Sequence, residues 1–235
     1  MLSVIVLLIA SVDACDVVEF RPQYGSSIPA INKWTDDYMN NTLGNKTFDV
    51  ELRIDKLFDT IDPLYRMNFS TYLQLTDKYY FAEILSTDMG ELYEDLDLVD
   101  DRLIVDEFVW IGDHISGYHI HVDVGNPRDV LYCQIRGRKH WNVYDYSKYD
   151  KDMHSPFSEN LNRAKTLPDN VVIGEYMLEA GDCLCIPPWW MHSAQGFDNS
   201  IGVVKVFPSK NMPFIFDYEV RRVLKTIYNM IKNIL

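Results

Sequence analysis

From Phe108 onward the chain alternates apolar and polar residues in short runs separated by turn residues. The clearest run is Tyr118-His119-Ile120-His121-Val122-Asp123. A period of two puts His119, His121 and Asp123 on one face of a strand and Tyr118, Ile120 and Val122 on the other. Gly125-Asn126-Pro127-Arg128-Asp129 then breaks the run as a turn. Further strands are predicted over Val130–Arg136, Trp141–Tyr146, Glu175–Leu178, Asp182–Ile186 and Ile201–Phe207. Many short strands at this spacing predict a jelly-roll barrel.

The first part of the chain has a different rhythm. Ile31, Trp34, Tyr38 and Leu43 recur at helical spacing, which predicts a helix within Ile28–Gly44. Phe48–Ile54 alternates like a strand, Phe69–Leu73 reads as a helix, and Leu75–Ile84 as an extended piece. Lys148–Asn170 is polar and interrupts the strands as a long insertion with one short helix. Val220, Val223, Leu224, Ile227, Met230, Ile231 and Ile234 form a helical stripe near the end of the chain, fit for core packing or for a homodimer face. The expected fold is therefore mainly β with flanking helices: a double-stranded β-helix (jelly-roll) barrel with N-terminal helices and a C-terminal helix. Its parts are a targeting-like run at 1–14, a helix-and-strand part at 15–100, the barrel at 101–208 and the last helix at 209–235.

Composition sharpens this picture. Of 235 residues, 47% are apolar, with 11 Phe, 15 Tyr and 5 Trp, which is ample for a sizeable core. Against 22 basic residues stand 35 acidic ones, a formal charge of −13. Such a surface repels phosphate backbones, so a general nucleic-acid binder is disfavoured. It suits basic protein segments, although simple solubility explains it too. Asp88–Glu107 is strongly acidic, opposed only by Arg102, and reads as a solvated face or as a rim that attracts a basic substrate.

Leu2–Ala10 is an apolar run followed by the small residue Ala14, in the manner of a secretory signal peptide. It is too short to span a bilayer, so no membrane span is expected. Asp13 and the lack of a preceding Lys or Arg fit a buried first strand instead. The first reading leads to the secretory pathway and ER lumen, the second to the cytoplasm or nucleus. Asn40, Asn45 and Asn68 each open an Asn-x-Ser/Thr sequon. Cys183 and Cys185 lie two apart and share a strand face, while Cys15 and Cys133 stand alone. This is not the spacing of a disulfide scaffold, so buried free thiols are expected, and no Cys-x-x-Cys pair suggests zinc.

The candidate chemistry lies in two segments. His121 and Asp123 share one strand face, and His192 follows the rigid Pro187-Pro188-Trp189-Trp190 turn. Two imidazoles and a carboxylate are the facial set that holds Fe(II) and leaves positions open. His119 competes for the same face, but the His-x-Asp spacing selects His121, which leaves His119 beside the ligands or on the pocket wall. His114, His140 and His154 read as surface or packing residues. There is no phosphate-binding loop, dinucleotide fingerprint or activated Ser or Cys nucleophile.

His121-x-Asp123, Gly137-x-Lys139-x-Trp141 and Gly181-Asp182 leading through Ile186-Pro187 and Trp190 to His192 together resemble the JmjC family of Fe(II)- and 2-oxoglutarate-dependent oxygenases, in its hydroxylase-type, cupin-like branch. Ile28-Pro29-Ala30 to Trp34 and Arg66-Met67-Asn68-Phe69 to Tyr72-Leu73 extend the resemblance upstream, so that it runs from Ile28 to Phe207. It implies iron bound by His121, Asp123 and His192, with Lys139 holding the distal carboxylate of 2-oxoglutarate. Tyr118 stands where relatives place a co-substrate contact, although period two turns it away from His121 unless the strand bulges. The implied reaction hydroxylates a protein side chain and releases succinate and CO2. Lysine demethylation and tRNA-base hydroxylation are alternatives within the class, and a non-catalytic cupin-like binding module is the alternative outside it. The chain departs from the family at Val130, where relatives carry Asn, and at Val204 and Val206, where they carry Asn and Trp. Its beginning is also shortened relative to the family.

Overall fold

The structure is a computed structural model, and it describes residues 15, 17–52, 64–76, 79–98, 104, 106–112, 117–121, 128–144, 172–188 and 190–208. The targeting-like run at 1–14, the polar insertion Lys148–Asn170, and the C-terminal stripe expected to serve core packing or a homodimer lie outside these residues.

Two long strands organise the barrel. β7 (Arg128–Tyr144) and β10 (Met191–Pro208) run antiparallel along their whole length. Each changes character at its middle. Gly137 in β7 has φ 67°, and Asp198 and Asn199 in β10 have φ 58° and 54°. The register between the strands shifts from Phe197 to Ile201. At Gly137 a Cβ would strike the backbone oxygens of Phe197 and Asp198, so only glycine fits both the positive φ and the close approach.

This bend divides the strands between two layers. The first half of β7 pairs with β9 (Cys183–Ile186), and its second half with β8 (Val172–Leu178). The first half of β10 pairs with β6 (Gly117–His121), and its second half with β5 (Asp106–Gly112). One layer therefore reads β8-β7-β10-β6. The other continues from β1 (Glu19–Arg21) through β9, β7, β10 and β5 to β4 (Tyr79–Leu85), β2 (Thr47–Leu52) and β3 (Leu64–Asn68). This is the jelly-roll arrangement that the strand spacing predicts.

Period two sorts the larger layer cleanly. Val109, Ile111, Leu131, Cys133, Ile135, Cys183, Cys185, Ile201, Val203 and Phe207 face outward, into a core shared with the N-terminal helices. Tyr132, Leu184, Ile186, Val204 and Val206 face inward, where they meet Trp141, Val143 and Ala194 of the smaller layer. The outer face is covered by α1 (Ala30–Lys33), α2 (Asp36–Leu43), α3 (Phe69–Leu73) and a 3-10 segment at Ser86–Leu96. The single helix expected within Ile28–Gly44 is thus two. Thr35 interrupts it as an N-cap, its hydroxyl accepting from the Tyr38 amide.

Asp95 ties this cover together. It is 4% exposed and accepts from Lys33 Nζ, Trp34 Nε1 and Tyr38 Oη. The Asp95 hydrogen bond raises the pKa of both Lys33 and Tyr38. Beneath the 3-10 segment, Lys205 of β10 is paired with its register partner Glu107 of β5 and donates to the Leu96 carbonyl. The other Glu107 oxygen accepts from Ser86 Oγ at 2.7 Å.

The cysteines require a correction. They are not free thiols but two disulfides, Cys133–Cys183 and Cys15–Cys185. Cys183 and Cys185 do share the outer face of β9, as their spacing predicts. Their partners lie 50 and 170 residues away in sequence and are delivered by strand pairing, with Cys133 the register partner of Cys183. Spacing along the chain carries no trace of that register.

Candidate metal and co-substrate site

The smaller layer assembles the candidate residues. His192 opens β10 and has two register partners, His121 on β6 and Val143 on β7. The two histidine positions, far apart in sequence, are therefore direct cross-strand neighbours, with Cα atoms ~4.5–5.5 Å apart in such a ladder. The same pairing explains Tyr118. Going from His192 to Ala194 advances β10 by two residues, whereas the partner on β6 moves from His121 to Tyr118. β6 thus carries one extra residue, a β-bulge, which brings Tyr118 opposite Ala194, in step with His121 opposite His192. Asp123 and the side chains of Tyr118, His119 and His121 lie outside what is described. Among the described side chains no group of three His, Cys, Asp or Glu could hold a metal.

His192 is held in one orientation. It is 6% exposed, and its Nδ1 lies 3.0 Å from the Trp190 carbonyl oxygen. A carbonyl can only accept, so Nδ1–H is the donor in this contact. A metal-ligating imidazole donates its other ring N–H in this way.

Lys139 lies two steps along the same ladder. On β7, Lys139, Trp141 and Val143 alternate inward, opposite Gly196, Ala194 and His192 of β10. The Lys139 ammonium is 2% exposed and donates to Tyr80 Oη at 3.4 Å. It also lies 4.6 Å from the Trp110 ring centre, 4.8 Å from Tyr132 and 5.5 Å from Trp141. Aromatic faces stabilise a cation withdrawn from water. Tyr80 and Trp110 belong to β4 and β5 of the larger layer, so the lysine reaches across the barrel.

The floor of this cage is firm. Tyr132 is fully buried, its ring 4.9 Å from that of Trp141. Its hydroxyl donates to Gln134 Oε1 at 2.7 Å, and Gln134 Nε2 donates to Ser200 Oγ at 2.9 Å. Burial pushes the Tyr132 phenol well above the ordinary tyrosine range, so it stays a neutral donor. Tyr80, Trp110 and Tyr132 were not expected in the site. For Trp110 and Tyr132 the inward alternation of β5 and β7 was a usable signal. Tyr80 offered none, because its place depends on β4 lying beside β5.

His140 lies outside the site, paired with Glu175 at 2.8 Å, while His114 and His154 lie beyond the described residues. Val130, Val204 and Val206, the positions that depart from the family pattern, all belong to the inner apolar cluster. Among the described residues no helix is long and apolar enough to cross a membrane.

Comparison with known proteins agrees with this architecture. The family model of the JmjC domain matches residues 95–211. A lysine-specific demethylase of Arabidopsis thaliana, JMJ30, is 26% identical over 204 residues, covering 74% of this chain and 46% of the relative. The Escherichia coli protein YcfD superposes with a TM-score of 0.55 at 19% identity, over 90% of this chain and 56% of the neighbour. Another structure of YcfD, a ribosomal oxygenase in complex with cobalt and 2-oxoglutarate, gives 0.53 at 18% identity, over 91% and 55% of the two chains. The chain thus spans about half the length of the relatives it matches. Barrel topology, the matched segment and the motifs on β6, β7 and β10 place this chain in the JmjC-domain family.

Proposed function

We propose that the chain is an Fe(II)- and 2-oxoglutarate-dependent dioxygenase that hydroxylates a protein side chain. The carrying observation is the ladder itself: His121 opposite His192, with the buried Lys139 further along the neighbouring strand. His121, Asp123 and His192 would hold the metal, a donor set suited to Fe(II) with open positions. The Trp190 carbonyl orients His192 through Nδ1–H, and Nε2 would be its ligating atom. Lys139 would bind the distal carboxylate of 2-oxoglutarate by a charge-assisted hydrogen bond, strengthened by the dry aromatic wall. Tyr118, carried into step by the bulge, is a further candidate contact. When bound, iron with 2-oxoglutarate and O2 supplies oxidation of a C–H bond, with succinate and CO2 as co-products. The protein's part is to bind, orient and exclude water.

A protein substrate is favoured by the charge of −13, which suits a basic segment and repels nucleic acid. A ribosomal oxygenase and a lysine-specific demethylase are both similar to the chain. The demethylase supports lysine demethylation as a second reading. Two disulfides together with the apolar run Leu2–Ala10 support a secretory-pathway lumen as the compartment. Incubation with Fe(II), 2-oxoglutarate, O2 and candidate peptides should yield succinate and a peptide that gains one oxygen; loss of a methyl instead would identify demethylation. Succinate production that persists when His121 and Asp123 are both replaced by Ala would overturn the oxygenase reading, and protein that carries no stoichiometric iron after anaerobic purification would favour the binding module.

A further inference from the structure

Among the described residues of the site, the Trp141 indole is a polar group that the reading above does not use. Trp141 is 3% exposed, and its indole Nε1 is buried without an acceptor among the described residues. Buried donors are almost always satisfied, so such a group calls for an explanation. Its position supplies one. Trp141 lies between Lys139 and Val143 on the inward face of β7, opposite Ala194, two residues along β10 from His192. Its ring centre is 5.6 Å from that of His192 and 5.5 Å from Lys139 Nζ. The indole is therefore near both ends of a molecule that reaches from a metal on His192 to the lysine ammonium.

We propose that the Trp141 indole N–H donates a hydrogen bond to a carboxylate oxygen of the 2-oxo dicarboxylate co-substrate, acting beside Lys139 as a binding and positioning residue. This inference rests on the oxygenase reading. An indole nitrogen donates and cannot accept, so it selects for an anion's oxygen and cannot satisfy itself against Lys139. A carboxylate acceptor makes the bond charge-assisted, and its strength is greatest in a site closed to water. Phenylalanine would keep an aromatic ring against Tyr132 while removing the N–H, the one polar function that tryptophan adds.

Trp141→Phe separates the two roles. In anaerobic protein loaded with Mn(II), the 2-oxoglutarate Kd from calorimetric titration should rise about tenfold, or ~1.4 kcal/mol. Metal affinity should stay at the wild-type value, while the melting temperature without 2-oxoglutarate should fall only by what the smaller ring costs in packing. In wild-type protein carrying Zn(II) as a diamagnetic stand-in, the Trp141 indole N–H resonance should move downfield as 2-oxoglutarate is added. An unchanged Kd in Trp141→Phe, or an indole resonance that stays in place while 2-oxoglutarate binds, defeats the inference but spares the oxygenase reading. Failure of wild-type protein to bind 2-oxoglutarate at all defeats the oxygenase reading, and the inference with it. The resonance measurement needs no variant, so the test survives should Trp141→Phe misfold.

Discussion

Gly202 should be among the least replaceable positions in the barrel, for a reason that is steric rather than conformational. It lies on β10 between Trp110 of β5 and Gln134 of β7, and its φ is ordinary for any residue. A Cβ added there would collide with the Oη, Cζ and Cε2 of Tyr132. The ring has little room to retreat, being fully buried, braced by Trp141 at 4.9 Å and bonded through its hydroxyl to Gln134 at 2.7 Å. Overpacking of this kind costs ~1–3 kcal/mol, and a buried hydroxyl torn from its partner costs ~1–3 kcal/mol more. The entropy gained by replacing glycine offsets only ~0.4–1 kcal/mol. Gly202→Ala should therefore destabilise by about 2–4 kcal/mol in urea unfolding, with an unchanged m-value. Tyr132→Leu removes the obstacle, so the double variant should be more stable than the sum of the two single losses by at least ~1 kcal/mol. A Gly202→Ala cost below ~0.5 kcal/mol, or strict additivity in the cycle, would refute this account of the packing.

Three more outcomes concern stability. Lys205→Met should cost ~3–5 kcal/mol, because it strands Glu107 in the core, and adding Glu107→Leu should recover most of that; a harmless single substitution in urea unfolding would disprove the pairing. Reducing the disulfides should lower stability, with Cys133–Cys183 alone worth ~4 kcal/mol for its 50-residue separation on the chain-entropy account, and identical unfolding curves with and without reductant would count against both bonds. Lys33, Tyr38 and Tyr132 all bind their protons more tightly when folded, so the stability they add is complete below the unfolded values of ~10–10.4 and is lost as pH rises beyond them. Melting temperature should therefore fall above about pH 10, and Asp95→Asn should remove part of that fall; a flat profile to about pH 11 would contradict it.

The barrel was legible in the sequence because burial on one face of a strand writes a period of two, and the inward and outward residues of β5, β7 and β9 follow it. The failures have particular causes. β7 was expected as two strands, because Gly137 looks like a break; its positive φ instead bends a continuous ladder. β10 was expected to begin at Ile201 but begins at Met191, because Ser193, Gln195, Asp198 and Asn199 hide the alternation of its first half. β3 was missed altogether: its first three residues are exposed, so no apolar face marks it. In the site, His121, His192 and Lys139 could be singled out by residue type and motif. Tyr80 and the disulfide partners could not, since only strand order brings them near.

The three valines that break the family pattern look at first like damage to the site, yet they line one apolar wall of it. Val130 of β7 is the register partner of Val206 of β10, and Val204 is the partner of Tyr132. All three lie in the inner cluster, with Val204 and Val206 only 7% and 9% exposed. Losing one polar partner from a buried pair leaves the other unsatisfied at ~1–3 kcal/mol, whereas replacing both by apolar groups is nearly neutral. Valines meeting across one ladder have the second character, since their three side chains make an apolar wall that holds no polar atom of their own. On the oxygenase reading, polar contacts that relatives draw from the last strand must then come from elsewhere. β7 carries buried donors on that face, the Lys139 ammonium and the Trp141 indole among them. Restoring Val204→Asn alone should consequently destabilise the barrel without tightening 2-oxoglutarate binding, since its polar counterparts are absent. A variant that bound 2-oxoglutarate more tightly at unchanged stability would show instead that the family's contact geometry survives intact around these valines.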